Sequence, residues 1–144
     1  MKVKDIMTDN VIPVHPEETV EVAARKLAHY NVGVLPVCEN NGQVCGMVTD
    51  RDLVTRCIAA NKAASSTTVR QVMTGQVISV KPDMEASVAA HLMGRQQIRR
   101  LPVTENGRLL GMLSLGDLAA REESIMDAAD ALSDITCNIS DRSY

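Results

Sequence analysis

The sequence predicts an α+β chain made of two β-α-β-β-α repeats followed by a C-terminal helical tail. Three observations predict it. Val3 to Cys38 lies over Val69 to Thr104, with Val3, Met7, Thr8, Val11, Ile12, Val14, Pro16, Val22, Ala23, Ala24, Leu35, Pro36 and Val37 recurring unchanged. Strand-like and helix-like periodicities follow in the same order in each copy. The stretch Gly46-Met47-Val48-Thr49-Asp50-Arg51-Asp52-Leu53 returns as Gly111-Met112-Leu113-Ser114-Leu115-Gly116-Asp117-Leu118. In both copies an apolar run ends in a hydroxyl residue, and an acid follows three residues later.

The elements run as follows. Lys2 to Asn10 is a polar lead with one turn of helix around Val3, Ile6 and Met7. Val11 to Val14 reads as a short edge strand, because Pro13 has no N–H to give a ladder. A helix starts at Pro16-Glu17-Glu18-Thr19, with acids suited to its first turn. Val20, Ala23, Ala24, Leu27 and Ala28 set its apolar stripe, and Asn31 stops it. Val32 to Cys38 and Val44 to Thr49 are strands joined at Asn40-Asn41-Gly42, residues that accept positive φ. Asp50 to Ala60 is the second helix. The same order returns as strand Val77 to Val80, helix Met84 to Arg95, strands Arg100 to Thr104 and Leu109 to Ser114, and helix Leu115 to Glu123. The predicted division is residues 1–62, a linker at 63–68 marked by Ser65-Ser66-Thr67-Thr68, residues 69–123, and a tail at 124–144. In the tail Ile125, Met126, Ala129, Leu132 and Ile135 fall near helical spacing among acids. They predict an extra packed amphipathic helix beyond the two repeats and a frayed polar end.

Val, Leu, Ile, Met and Ala must build the core, since Tyr30 and Tyr144 are the only aromatic residues. The net charge of -3 gathers at residues 122–144, where Glu122, Glu123, Asp127, Asp130, Asp134 and Asp141 face Arg142 alone. The rest is mildly basic, enough for a small anion. Without stacking aromatics it does not suit a general nucleic-acid binder. No apolar run has the length of a membrane span and no signal pattern opens the chain, so a cytoplasmic protein is expected. Cys38, Cys45, Cys57 and Cys137 show no C-x-x-C spacing. The first three read as small buried hydrophobes, with a redox pair of Cys38 and Cys45 as the alternative. His15, His29 and His91 lack metal-ligand spacing and are expected on the surface. Met47 and Met112 are expected in the core. No nucleophile and base fall into a recognisable motif, so no enzyme and no catalytic cofactor are expected.

The Leu-Pro-Val of each second strand and the Gly-x-x-Thr/Ser-x-x-Asp at each strand-to-helix junction together resemble a tandem pair of CBS domains, a Bateman module, over residues 1–121. The resemblance implies two repeats packed about a pseudo-twofold axis, with clefts that take AMP, ADP, ATP or S-adenosylmethionine. The implied ligand set is Gly46, Thr49, Arg51, Asp52, Val77, Ile78, Arg99, Arg100 and Pro102 with Val11, Ile12, Val34, Pro36, Gly111, Ser114 and Asp117. A carboxylate can accept from two ribose hydroxyls at once, glycine lets backbone come close, and helix N-terminal N–H groups can seat phosphate. One implied cleft joins Thr49 and Asp52 to Val77, Ile78, Arg99 and Arg100. The other joins Ser114 and Asp117 to Val11, Ile12, Val32, Gly33 and Val34. Thr49-x-x-Asp52 and Ser114-x-x-Asp117 are equally capping boxes, and capping alone accounts for the spacing. Two functions therefore stand: an adenine-nucleotide sensor acting on a regulated partner protein, and a ligand-free interaction module. A homodimer is expected in either case.

Overall fold

A computed structural model describes residues 1–140, with side chains through Cys137. Asp141 to Tyr144, where the frayed polar end was expected, lie outside the described residues. The helices are α1 (Val20–Tyr30), α2 (Asp50–Leu53), α3 (Val69–Val72), α4 (Ala86–Gln96), α5 (Leu115–Ala119) and α6 (Ile125–Ser140). The strands are β1 (Val34–Cys38), β2 (Val44–Thr49), β3 (Arg100–Glu105) and β4 (Arg108–Ser114). They form two two-stranded sheets, β1-β2 and β3-β4.

The chain packs as two compact units that cut across the sequence repeats. Of the described residues, one holds Met1–Val11, Ile78–Asn106 and 110–140; the other holds Ile12–Val77 and Gly107–Leu109. The lead of each repeat thus packs with the sheet of the other. Thr8 bridges Met112 beside β4, and Thr74 bridges Met47 beside β2.

In the unit built around β1 and β2, the strands pair antiparallel with Leu35 opposite Val48 and Val37 opposite Gly46. Gly42, at φ 86, turns the chain between them. Val11 to Val14 is not a strand: Val14 alone bridges Val37 in parallel. The Val14 N–H donates to the Pro36 carbonyl (3.0 Å) and the Cys38 N–H to Val14 (2.9 Å). Residues of a strand point N–H and C=O to the same side, so the Pro36 nitrogen also faces the lead. Its missing donor halts that ladder and spares the one with β2. Val20, Ala23 and Leu27 of α1 cover the core of Leu35, Val37, Val48, Leu53, Cys57, Val69 and Val72. The helix starts at Val20 because the Thr19 hydroxyl accepts from the Val22 N–H (3.2 Å), leaving Pro16–Glu18 in the preceding turn. The second helix begins as expected at Asp50 but widens into a π-helix over Val54–Ile58. The Ser/Thr stretch is not a free linker: Thr67 is buried, and its carbonyl accepts from the Val20 N–H (2.8 Å).

In the other unit, Leu101, Val103, Leu113 and Leu118 pack with Val3, Ala89, Ala90 and Met93. Asn106 and Gly107, at φ 53 and 80, make the two-residue hairpin turn. Val80 repeats the single parallel bridge, to Val103. The tail helix packs into this core, since Ala128 and Ala131 belong to the cluster. Gly94 of α4 lets α6 close in; a Cβ there would lie 3.4 Å from the Ala131 Cα. The corresponding Ala24 and Ala28 of α1, expected in the apolar stripe, are exposed. Met47 and Met112 are half-buried rather than core, because strand alternation gives the core face to their neighbours Val48 and Leu113.

Candidate functional site

Both motif copies are built as capping boxes. The Thr49 hydroxyl accepts from the Asp52 N–H (3.1 Å), and the Asp52 Oδ2 accepts from the Thr49 N–H (3.0 Å). The Ser114 hydroxyl accepts from the Asp117 N–H (3.0 Å), and the Asp117 Oδ2 accepts from the Ser114 N–H (2.8 Å). These bonds satisfy donors a helix start leaves open, and they fix each carboxylate at its strand end. One oxygen of each acid stays outside the cap. The Asp52 Oδ1 lies 3.8 Å from the Arg56 guanidinium, and the Asp52 side chain is only 13% exposed. The Asp117 Oδ1 accepts no hydrogen bond among the described residues.

The glycine of each motif has a packing reason. A Cβ at Gly46 would lie 2.6 Å from the Met73 Sδ and 2.9 Å from the Thr74 carbonyl oxygen. At Gly111 it would lie 2.6 Å from the Thr8 carbonyl oxygen and 3.0 Å from the Met7 Sδ. The space above each glycine is filled by the Met-Thr segment that leads the other repeat. The recurrence of Met7-Thr8 as Met73-Thr74 was the available signal for this role, and sequence reasoning did not use it.

The remaining site residues divide between the two units. Gly46, Thr49, Arg51 and Asp52 share one with Ile12, Val34, Pro36 and Val77. There Arg51 is exposed, Pro36 is buried, and Ile12, Val34 and Val77 are half-buried. Gly111, Ser114 and Asp117 share the other with Val11, Ile78, Arg99, Arg100 and Pro102. Here the structure places Arg99 and Arg100 with Ser114 at one cavity of about 500 Å³, whose far wall is α6 through Ile125, Ala129 and Leu132. The Arg99 carbonyl accepts from the Leu115 N–H (2.8 Å), which ties the start of β3 to the end of β4. No sequence pattern placed α6 at this cavity.

Elsewhere, Cys38 and Cys57 are buried while Cys45 is half-buried. A bulge at Val37/Cys38 sets Cys38 opposite Val44 and leaves Cys45 as the extra residue. Burial, with the nearby Cys45 thiol second, pushes the Cys38 thiol up to about 11. Burial also raises Cys45, helped by the Glu39 carboxylate and opposed by Arg70. Thiols held protonated in this way are poor nucleophiles. His29 and His91 are exposed, and the half-buried His15 accepts at Nδ1 from the Glu17 N–H (3.1 Å). No described helix is long and apolar enough to cross a membrane.

A duplicated α+β unit with a Thr/Ser–Asp cap closing each sheet defines a tandem-repeat module. Residues 3–58 and 69–124 each match the CBS domain, and the chain belongs to that family. It is 40% identical over 134 residues to the CBS domain-containing protein YhcV of Bacillus subtilis, covering 93% of this chain and 94% of that one. Among solved structures it is similar to Hypoxic Response Protein I with two coordinated zinc ions, with a TM-score of 0.78 and 29% identity over 84% of this chain and 98% of that one. It is also similar to the CBS domain pair of protein MJ0100, solved in complex with 5-methylthioadenosine and S-adenosyl-L-methionine. That match has a TM-score of 0.75 and 27% identity over 83% of this chain and 94% of that one.

Proposed function

We propose that the chain is a cytoplasmic regulatory module, not an enzyme, that binds an adenine nucleotide and passes its occupancy, as a homodimer, to a partner protein. The observation that carries this reading is the pair of strand-end carboxylates, each held by its cap through one oxygen and each with the other oxygen outside the cap. Such an oxygen suits the vicinal hydroxyls of a ribose. Arg99 and Arg100 supply the phosphate contact. The adenosine ligands of the similar MJ0100 pair support the same chemistry. Binding regulates only if one arrangement of the module binds the ligand better than another.

Thermal shift and calorimetry with AMP, ADP, ATP, adenosine, 5-methylthioadenosine and S-adenosylmethionine test it. A ligand at 100 times its dissociation constant adds about 2.7 kcal/mol of stability. Asp52→Asn and Asp117→Asn keep a capping oxygen but lose the charge, so each separates ligand binding from helix stability. Loss of a charge-assisted bond costs about 1.5–3 kcal/mol of affinity. Arg100→Ala should weaken the nucleotides and spare adenosine, which has no phosphate. A mass of one chain in light scattering would remove the dimer from the reading.

The ligand-free interaction module is favoured by one observation: both caps are complete, and both motif glycines are covered by protein. No stabilisation by any of the six ligands would establish that reading instead.

A further inference from the structure

We propose that α6 forms the apolar wall of a binding site for a small anion with an apolar body, held at its charged end by Arg99 and Arg100. The inference rests on the proposed function for the choice of AMP as ligand, though not for the cavity. The family match ends at residue 124, one residue before α6 begins. This wall is therefore an addition to the matched repeats.

The helix carries two adjoining apolar stripes. Ala128, Ala131 and Ile135 are buried in the unit that holds α4 and α5. Ile125, Ala129 and Leu132 recur at helical spacing beside them and line the cavity. Ile125 is 49% exposed and Leu132 is 43% exposed, so this second stripe stays partly wet. Its volume of about 500 Å³ lies in the range for small-molecule sites.

The charge around it is one-sided. Arg99 and Arg100, and no acidic residue, are among the residues that line the cavity. Among the described residues neither arginine makes an ion pair. A guanidinium fork takes a phosphate or carboxylate bidentately, and the Ser114 hydroxyl, which accepts from Asp117, still has its own proton to donate. Outside the lining, α6 bears Asp127, Asp130 and Asp134, which repel an extended polyanion. The geometry thus selects a compact anion over a nucleic acid or an anionic lipid surface.

The test uses the full chain with two probes. One is AMP, followed by calorimetry. The other is 1-anilinonaphthalene-8-sulfonate, an apolar anion unrelated to nucleotides, followed by fluorescence. Leu132→Gln removes the wall without adding charge, and Arg100→Ala removes the anchor. Met126→Gln is the control, at a position 71% exposed on α6 and away from the cavity. Leu132→Gln and Arg100→Ala should each weaken AMP about tenfold and dim the sulfonate, with Met126→Gln like wild type in both. If wild type takes the sulfonate with this variant pattern but no AMP, the α6 site stands and the nucleotide reading falls. If AMP binds and is lost in Asp52→Asn and weakened in Arg100→Ala, while Leu132→Gln changes neither probe, the nucleotide reading stands and the α6 site is overturned. Binding of neither probe to wild type overturns both.

Discussion

Replacing Gly111 by alanine tests whether the motif glycine serves packing or ligand. The Thr8 N–H donates to the Met112 carbonyl and the Met112 N–H to the Thr8 carbonyl, both at 2.8 Å. Gly111 precedes Met112, and its new Cβ would lie 2.6 Å from the Thr8 carbonyl oxygen and 3.0 Å from the Met7 Sδ. The thioether can swing away, but the carbonyl belongs to a main chain bonded on both sides of the clash. Overpacking of this kind costs about 1–3 kcal/mol, and each strained hydrogen bond is worth roughly 0.5–1.5 kcal/mol. Gly111→Ala should therefore lose about 2–4 kcal/mol, a large share of a stability of order 5–15 kcal/mol. Gly46→Ala should lose less, about 1–2 kcal/mol, because the Met73 sulfur can move and the backbone clash, with the Thr74 carbonyl oxygen at 2.9 Å, is milder than the 2.6 Å at Thr8. Gly75→Ala is the control. Nothing lies within 4 Å of its added Cβ, so it should be neutral or gain up to about 1 kcal/mol. Urea unfolding measures all three, and amide exchange at Thr8 and Met112 reports the bridge directly. A Gly111→Ala protein within about 0.5 kcal/mol of wild type, with the Thr8 amide still protected, would refute the packing argument. Unchanged stability with lost AMP affinity would return the glycine to the ligand.

Gly94→Leu should lift α6 from α4, since even a Cβ at Gly94 would meet the Asp134 Oδ2 at 2.8 Å. Amide exchange should quicken through α6 and stay unchanged in β1 and β2. The Cys38 thiol sets an alkaline limit. Its folded value of about 11 stands above the ordinary 9.0, so its contribution is full below 9.0 and is lost as pH rises toward 11. Cys38→Ala should flatten that part of the stability–pH curve in chemical denaturation at each pH.

Strand β2 was legible to the residue, because period-two alternation and the Asn-Gly turn agree on it. Both caps were legible as well, since their donors and acceptors lie three residues apart in one segment. What escaped depended on distant partners. Val11 to Val14 has strand composition, yet Pro36 withholds the donor a longer pairing needs. Helix α3 is too short to show a period. The tail could be read as amphipathic, but only Gly94 and Ala90 reveal that its small residues have a bed. The cavity followed the same rule, for Arg99 and Leu132 meet only through the packing of α6.

The placement of the Met-Thr segments bears on ancestry. A single repeat, standing alone before duplication, would have left its central glycine bare and its own lead unplaced. It could complete itself only by trading leads with a twin. In the tandem chain that trade is internal, so a chain severed near Lys62 would yield two fragments, each holding the piece its sister lacks. Such fragments should recover the fold when mixed and precipitate when made apart.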